Sequence, residues 1–505
     1  MRGKKALKNI ITSLFLEVIK IVCGFIAPIM IIGTFGSAVN GLISSITQFL
    51  SYITLLESGI GPVIKAALYK PISQKNNKEI ANILKAGERF FRTIALIFIV
   101  YICILCVFYP LIINTEFDAF FSISLILIIA IATFAEYFFG ITYKLFIQAD
   151  QKKYVVSNIE IITTVTNTIF IVLLIKMGSS IQVVKLFSAI AFLLRPLLQN
   201  LYFRKKYNIN LKEADKEYNL KNKWDGLSQH IAAVVHNNTD IAVLTVLSTM
   251  EEVSVYSVYL LVVNGIKRFV EALNSGIDAT FGDMIVRDEN ENLNKRFSMY
   301  ETIYLTIITI LFICTLILIV PFISVYTRDV TDANYIRPLF GFLIVSAEFV
   351  HSIRFPYHSL VLAAGHFKQT RRGAWVEAIS NLGISIILVI KFGIVGVAIG
   401  TLVAMIIRTV EFLIYSSRVI LKRSLFIAIK KISCVVLEVL IMLVINQMIY
   451  KNFTSLSSYF AWAEYAAIIL VITSLVVIFA NFVMFRKDFK QIKEVFKNMK
   501  SKQEE

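Results

Sequence analysis

The sequence predicts an all-α, polytopic membrane protein. Hydrophobic residues make up 57% of its 505 residues and charged residues only 17%, which is outside the range of soluble globular domains. Apolar runs near the roughly 20 residues that cross a bilayer recur about fourteen times and use most of the chain. The predicted spans begin near Ile10, Leu42, Phe91, Ser122, Val155, Ile181, Leu227, Val253, Tyr300, Ile336, Ala374, Ile394, Ile429 and Ala461.

The distribution of positive charge predicts the topology. The formal net charge is +17, and lysine and arginine concentrate in every second connector, whereas the alternate connectors are short and poor in both. By the positive-inside rule, fourteen spans then place both termini in the cytoplasm. The basic excess is thus explained by membrane orientation, and we do not expect the protein to bind nucleic acid.

An internal repeat indicates two parallel halves. The fourth and fifth spans correspond to the tenth and eleventh, so the predicted domains are two six-helix bundles at 1–203 and 227–424, a cytoplasmic linker at 204–226, two extra transmembrane helices at 425–485 and a basic cytoplasmic tail at 486–505. The residues with an identical partner 215 positions later are Leu145, Ala149, Lys153, Ile171, Leu173, Ile175, Lys176 and Gly178.

Polar residues at helical spacing run through several of these apolar spans. Four charged residues facing lipid in the eighth span alone would cost on the order of 10 kcal/mol, so such a stripe favours an aqueous passage for something polar. The alternative is that these residues satisfy one another in helix packing. The stripe of the eighth span consists of Asn264, Lys267, Arg268, Glu271, Asn274, Ser275 and Asp278. Others contain Ser13, Glu17, Lys20 and Gly24; Asn40, Ser44, Thr47, Ser51, Thr54, Ser58 and Lys65; His230, His236, Asn237 and Asp240; and Glu348, His351, Arg354 and His358.

Several stretches resemble a known family. They are Leu55 to Gly61, Leu68 to Ile72, Ala149 to Tyr154, Asn238 to Asp240, Val253 to Ser257, and Asn381 to Gly400 with its paired glycines. In them the chain resembles the bacterial polysaccharide flippases, the O-antigen type of lipid-linked oligosaccharide transporter, in the superfamily that includes the multidrug and toxin extrusion pumps. The resemblance implies two six-helix bundles around a central cavity and movement of an undecaprenyl-diphosphate-linked glycan from the inner to the outer leaflet.

A diphosphate needs cations inside the membrane. Lys20, Lys267, Arg268 and Arg354 lie well inside their spans and suit that role, together with His351 on the face of Arg354. A second set lies nearer the cytoplasmic end, where snorkelling to the surface is an equal alternative. This set comprises Lys65, Lys144, Arg195 and Arg408. Asn264, Asn274 and Tyr256 are expected to meet sugar hydroxyls.

Four acidic residues are candidates for binding a coupling proton or sodium ion, because a desolvated carboxyl titrates near physiological pH. Glu271 has an alternative role, since it lies one helical turn from Lys267 and would neutralise it. The candidates are Asp240, Glu271, Asp278 and Glu348. Apart from this coupling to a proton or sodium gradient, we expect no cofactor.

Three classes of function compete. The first is a flippase that works by alternating access in surface polysaccharide biosynthesis, in the bacterial cell membrane, with membrane lipids and other polysaccharide assembly proteins as partners. The second is an ion-coupled multidrug or organic cation antiporter. The third, a glycosyltransferase, ligase or polymerase, is disfavoured because no long outer connector carries paired carboxylates. The five cysteines all lie in apolar runs, which argues against a metal site. The sequence therefore predicts a transporter and not an enzyme.

Overall fold

The structure is a computed structural model. It describes residues 2–57, 60–113, 117–215, 218, 239–274, 281, 284–285, 290–366, 368–451, 458–491 and 493–494, and these contain helices and connectors with no strand. The chain divides into two compact units, Met1–Ser257 and Val258–Glu505. Residues 204–215 and 218 of the predicted linker are described and the rest of it is not. The predicted domain boundaries stay predictions.

The first unit is built from membrane-length helices and shorter pieces. α1 carries Pro28 in its interior, and α5 starts with Asn76 as its N-cap, whose side chain accepts a hydrogen bond from the Glu79 amide. The helices are α1 (Arg2–Phe35), α2 (Ser37–Ser51), α3 (Thr54–Glu57), α4 (Ile60–Gln74), α5 (Asn77–Ile112), α6 (Ala119–Ala135), α7 (Ile141–Ala149), α8 (Lys153–Lys176), α9 (Ile181–Lys206) and α10 (239–247).

The second unit begins inside α11 (Met250–Asn274) and contains the remaining helices. They are α12 (Asn290–Tyr326), α13 (Pro338–Ile353), α14 (Phe355–Ala363), α15 (Arg371–Phe392), α16 (Ile394–Tyr415), α17 (Leu425–Tyr450) and α18 (Tyr459–Met484).

Thirteen helical segments among the described residues are long and apolar enough to cross a membrane. They match the predicted spans except the seventh, which begins near Leu227 and lies mostly outside the described residues. In α18, for example, every fourth residue from Tyr465 to Asn481 is buried, so one face of the helix packs against the protein. Phe460 and Phe479 lie on other faces and are exposed. Exposed apolar faces of this kind suit lipid contact. The chain is therefore a multi-pass, all-α membrane protein, and the side on which each terminus lies stays a prediction.

Each unit contains the same interrupted span. In the first unit, α6 passes into a π-helical turn, Glu136–Gly140, before α7. In the second, α13 and α14 are separated at Arg354. The next two helices pack together in both units, α8 on α9 and α15 on α16, and α6 contacts α9 as α13 contacts α16. The predicted repeat thus has a counterpart in helix order, helix breaks and neighbours.

Glycines allow α15 and α16 to pack closely. Gly393 joins the two helices with a φ of 54°, a left-handed conformation that suits glycine. A Cβ at Gly396 would lie 2.8 Å from the Val389 nitrogen, and one at Gly400 would lie 2.8 Å from the Ser385 nitrogen. This small-residue contact explains Gly396 and Gly400 of the 381–400 stretch, whereas a Cβ at Gly383 would have nothing within 4 Å.

Candidate functional site

A polar cavity lies inside the first unit. Its volume is about 390 Å³, and polar or charged side chains from two sides of the unit line it. The α2–α3 segment contributes one side and α6, the π-helical turn and α7 contribute the other. The polar and charged lining residues are Thr47, Ser51, Thr54, Glu57, Thr133, Glu136, Tyr137 and Lys144.

Two polar contacts lie at this cavity, one between its two walls and one within the wall formed by the π-helical turn and α7. The hydroxyl of Tyr137 donates to Glu57 Oε2 at 2.8 Å, and Lys144 Nζ lies 3.0 Å from Glu136 Oε1. The π-helical turn carries both Glu136 and Tyr137, and turns of this kind are frequent at functional sites. The cavity therefore presents carboxylates, hydroxyls and one ammonium group to its contents.

The polar stripe of the second predicted span has two different roles. Near the start of α2, Asn40 is buried and its amide donates to the Ser254 hydroxyl at 2.8 Å, which is helix packing. Further along, Thr47, Ser51 and Thr54 line the cavity. One part of this stripe thus serves helix packing, and another part lines a polar cavity.

A first charge cluster lies close to the cavity and consists of Glu17, Lys20, Lys144, Glu160 and Arg195. On α8, Glu160 forms ion pairs with Lys20, whose Nζ is 3.1 Å from Oε2, and with Lys144, whose Nζ is 3.8 Å from Oε1. Lys20 also lies 3.5 Å from Glu17. Arg195 is close enough to interact electrostatically with Glu160; it donates to the hydroxyls of two adjacent α8 residues, Thr163 and Thr164, at 2.8 and 2.9 Å. Side chains from three helices, α1, α7 and α9, thus converge on one carboxylate of α8.

A second charge cluster lies in the second unit and consists of Arg354, Glu377, Arg408 and Glu411. Arg354 Nη1 is 2.6 Å from Glu377 Oε1, and Arg408 Nε is 3.4 Å from Glu377 Oε2. Arg408 also contacts Glu411 at 2.5 Å and donates to the Thr370 carbonyl at 2.9 Å. The Arg408 side chain is only 8% exposed, so here the cation points into the protein and does not snorkel.

The two clusters have a common plan. In each, a carboxylate on the helix after the interrupted span lies among a cation from that span and an arginine of the following helix. Glu377 and Arg408 each lie two residues from the position that the 215-residue repeat gives for Glu160 and Arg195. Both arginines also lie over a nearby ring, Arg195 over Phe192 and Arg408 over Phe412.

The polar stripe of α11 is mostly exposed. Asn264, Arg268 and Glu271 are exposed, whereas Lys267 is partly buried and lies 3.5 Å from Glu348 Oε2 on α13. Glu348 is therefore a counter-ion of Lys267. The sequence analysis had considered Glu271 for that role. The side chain of Asn274 and the whole of Ser275 and Asp278 lie outside the described residues.

The remaining predicted residues have varied surroundings. His351 is buried, with its Nδ1 3.3 Å from the sulfur of Met405. Tyr256 donates to Asp240 at 2.6 Å, so these two predicted residues contact each other. Lys65 lies half-buried on α4. His230, His236, Asn237 and Ser58 lie outside the described residues.

The sequence analysis missed Glu57, Glu136, Glu160 and Glu377. One signal could have identified them: an ionisable residue inside a membrane span is costly, so each one indicates a partner or a functional site. Glu160 and Glu377 are isolated acids in their spans and form no stripe, so a search for stripes passed over them.

Comparison with known proteins identifies the fold. No protein-family model matches the sequence, and no curated relative matches it. Among solved structures, the chain is similar to the lipid II flippase MurJ in an inward closed conformation, with a TM-score of 0.69, 15% identity, and coverage of 95% of this chain and 99% of that one.

Two multidrug transporters are similar over less of the chain. An inward-facing MATE family transporter of the MOP superfamily has a TM-score of 0.57, 16% identity, and coverage of 80% of this chain and 96% of that one. The eukaryotic MATE transporter AtDTX14 has a TM-score of 0.55, 15% identity, and coverage of 86% and 99%. The predicted all-α, polytopic fold class is confirmed, and the chain shares its fold with these solved transporters.

Proposed function

We propose that the protein is a flippase that moves an undecaprenyl-diphosphate-linked oligosaccharide from the inner to the outer leaflet of the bacterial cell membrane, by alternating access, for surface polysaccharide biosynthesis. The observation that carries the proposal is the extent of the structural match. The match to the lipid II flippase covers 95% of the chain and leaves out fewer residues than either α17 or α18 contains. It therefore includes residues of both helices, which follow the predicted repeat. The similar multidrug transporters cover 80% and 86%.

The charge clusters supply a plausible chemistry for the diphosphate. The two lysines of the first cluster and the two arginines of the second each pair with a carboxylate, so an incoming diphosphate has to compete with that carboxylate. Competition of this kind allows a cation to attract the anion without retaining it. Arg354, Arg408, Lys20 and Lys144 are the groups we expect to exchange partners, and hydroxyls of the cavity are expected to meet the sugars.

The test is transbilayer movement of a fluorescent undecaprenyl-diphosphate oligosaccharide in liposomes that contain the purified protein. We expect protein-dependent movement, and its response to imposed proton or sodium gradients would identify coupling. Absence of movement with several different glycans, in liposomes whose protein is folded, would contradict the proposal.

A matched pair of variants tests the cationic residues. Arg268 is exposed on α11, so Arg268→Gln should leave folding intact and reduce movement of the lipid-linked glycan at least tenfold, about 1.4 kcal/mol in the barrier. Arg328→Gln, in an exposed outer connector, is the control because its side chain is 61% exposed. Equal rates for both variants and wild type would remove Arg268 from the substrate path.

An ion-coupled organic cation antiporter is the second candidate, favoured by one observation. Glu57 and Glu136 line the first-unit cavity against a single lysine, Lys144, and such a site suits a cation. Gradient-driven efflux of an organic cation from the same liposomes, with no glycan movement, would favour this function over the first.

A further inference from the structure

The two C-terminal spans contain an isolated acidic residue deep in the membrane. Glu438 lies midway along α17 and is 1% exposed. Among the described residues, α17 packs on α12, α16 and α18. Glu438 belongs to neither charge cluster and to none of the predicted polar stripes.

Its carboxyl group has few hydrogen-bond partners. Asn481 on α18 donates from Nδ2 to Oε1 at 2.8 Å, and the Cys434 thiol lies 3.5 Å from the same oxygen. The second oxygen, Oε2, is buried and has no hydrogen-bond partner in the described part of the chain. A charged carboxylate normally accepts several hydrogen bonds, so this environment is poor for the anion.

No counter-ion is available from the helices that surround it. The sequence has no charged residue between Glu301 and Arg328 on α12, none between Glu464 and Arg486 on α18, and none except Glu438 between Lys431 and Lys451. The titratable neutral groups of these helices include Cys434 on α17 itself and Tyr304 and Cys314 on α12. On α16, Arg408 and Glu411 pair with each other.

The nearest cation along α17 is already neutralised. Lys431 Nζ lies 2.9 Å from Glu301 Oε2 and 3.1 Å from Asp488 Oδ2, so it is committed to two carboxylates two helical turns below Glu438. A carboxylate without a counter-ion in a low-dielectric region is strongly disfavoured relative to the neutral acid.

We propose that Glu438 is a proton-binding site in the interface of α12, α17 and α18, a carboxyl that takes up one proton to become the neutral acid when these helices are packed. The proton resides on Oε2, the oxygen without a partner, while Oε1 accepts from Asn481. Release of the proton requires water to reach α17, so proton occupancy and the packing of the C-terminal spans are linked. Any use of this proton in driving transport rests on the function proposed above.

Infrared difference spectroscopy of the full chain in lipid nanodiscs, recorded between acidic and alkaline pH, tests the site without any substrate. We expect the carbonyl band of a protonated carboxyl in an apolar site to be present at neutral pH and to fade as pH rises. This band should be lost in Glu438→Gln, shifted in Glu438→Asp and shifted in Asn481→Ala, which removes the hydrogen-bond donor. Glu464→Gln, near the start of α18, is the control and should keep the wild-type band.

Three outcomes would overturn the proposal. The first is a wild-type spectrum without such a band, and the second is a band that survives in folded Glu438→Gln. The third is a band in Asn481→Ala identical to that of wild type, since the carbonyl would then not be the one that accepts from Asn481. Because the measurement needs no transport, a positive spectrum with no glycan movement would reject the flippase and keep the proton site.

Discussion

Replacing Glu377 by glutamine should destabilise the protein by about 3 to 5 kcal/mol, the usual cost of breaking a buried ion pair from one side. Glu377 is the shared partner of Arg354 at 2.6 Å and Arg408 at 3.4 Å, and the three side chains are only 8 to 11% exposed. At an effective dielectric of about 20, Coulomb's law gives about 5 to 6 kcal/mol for each attraction at these separations, and the cost of desolvating the charges offsets part of it. Its loss leaves two buried arginines facing each other with Glu411 as the remaining acid of the cluster.

The assay is reversible unfolding of the purified protein in detergent, compared between variants under identical conditions. The double variant Arg354→Gln with Glu377→Gln should recover at least half of the loss, because one charge of each sign is then removed and Arg408 keeps Glu411. Arg328→Gln, which breaks the exposed pair with Asp329, should change stability by less than about 1 kcal/mol. Wild-type stability of Glu377→Gln, or a double variant less stable than either single one, would refute the reasoning.

Three further predictions use the same unfolding assay, and the first two compare paired variants. Gly400→Leu should cost at least about 2 kcal/mol because its side chain would enter the α15 backbone, whereas Gly383→Leu has nothing within 4 Å of its Cβ position and should be nearly neutral; equal effects would contradict the glycine contact. Lys431→Met should cost about 3 to 5 kcal/mol because it removes a counter-ion from the fully buried carboxylate of Glu301. The control is Lys430→Met, at an exposed residue, and an equal loss of stability in it would show that the effect is not specific. Burial, and secondly the hydrogen bond from its hydroxyl to Asp150, raises the pKa of Tyr207, which directly follows α9. The folded state therefore keeps a proton that the unfolded chain releases above about pH 10, so stability falls there as pH rises. Tyr207→Phe should weaken this alkaline loss, and an unchanged pH profile would reject the assignment.

Much of the fold was predictable because a membrane imposes a simple rule on sequence. A span needs about 20 apolar residues, so its existence follows from composition, as for α17 and α18. Breaks within a span are harder to predict. Nothing in the sequence around Glu136 to Gly140 distinguishes a π-helical turn from a continuous helix, whereas Pro356 gives some warning of the break at Arg354.

The candidate site was less predictable, for a physical reason. Helical periodicity identifies residues that share a face of one helix, but it does not reveal which helices meet. Lys20 was predicted from its own stripe, yet its 3.1 Å partner Glu160 lies on α8. Likewise the sequence left snorkelling and substrate contact as equal alternatives for Arg408, and only tertiary packing places it against Glu377.

The contacts of Asp488 have a practical consequence for where the chain can be shortened. Although Asp488 follows the last span and belongs by sequence to the basic tail, it accepts hydrogen bonds from Thr302 at 2.6 Å and Ser298 at 3.1 Å on α12, as well as the contact with Lys431. Ending the chain at Phe485 would thus remove an anchor of the transmembrane helices and not merely an appendage. Affinity tags and fluorescent reporters are better placed beyond Glu494, where this anchor is preserved.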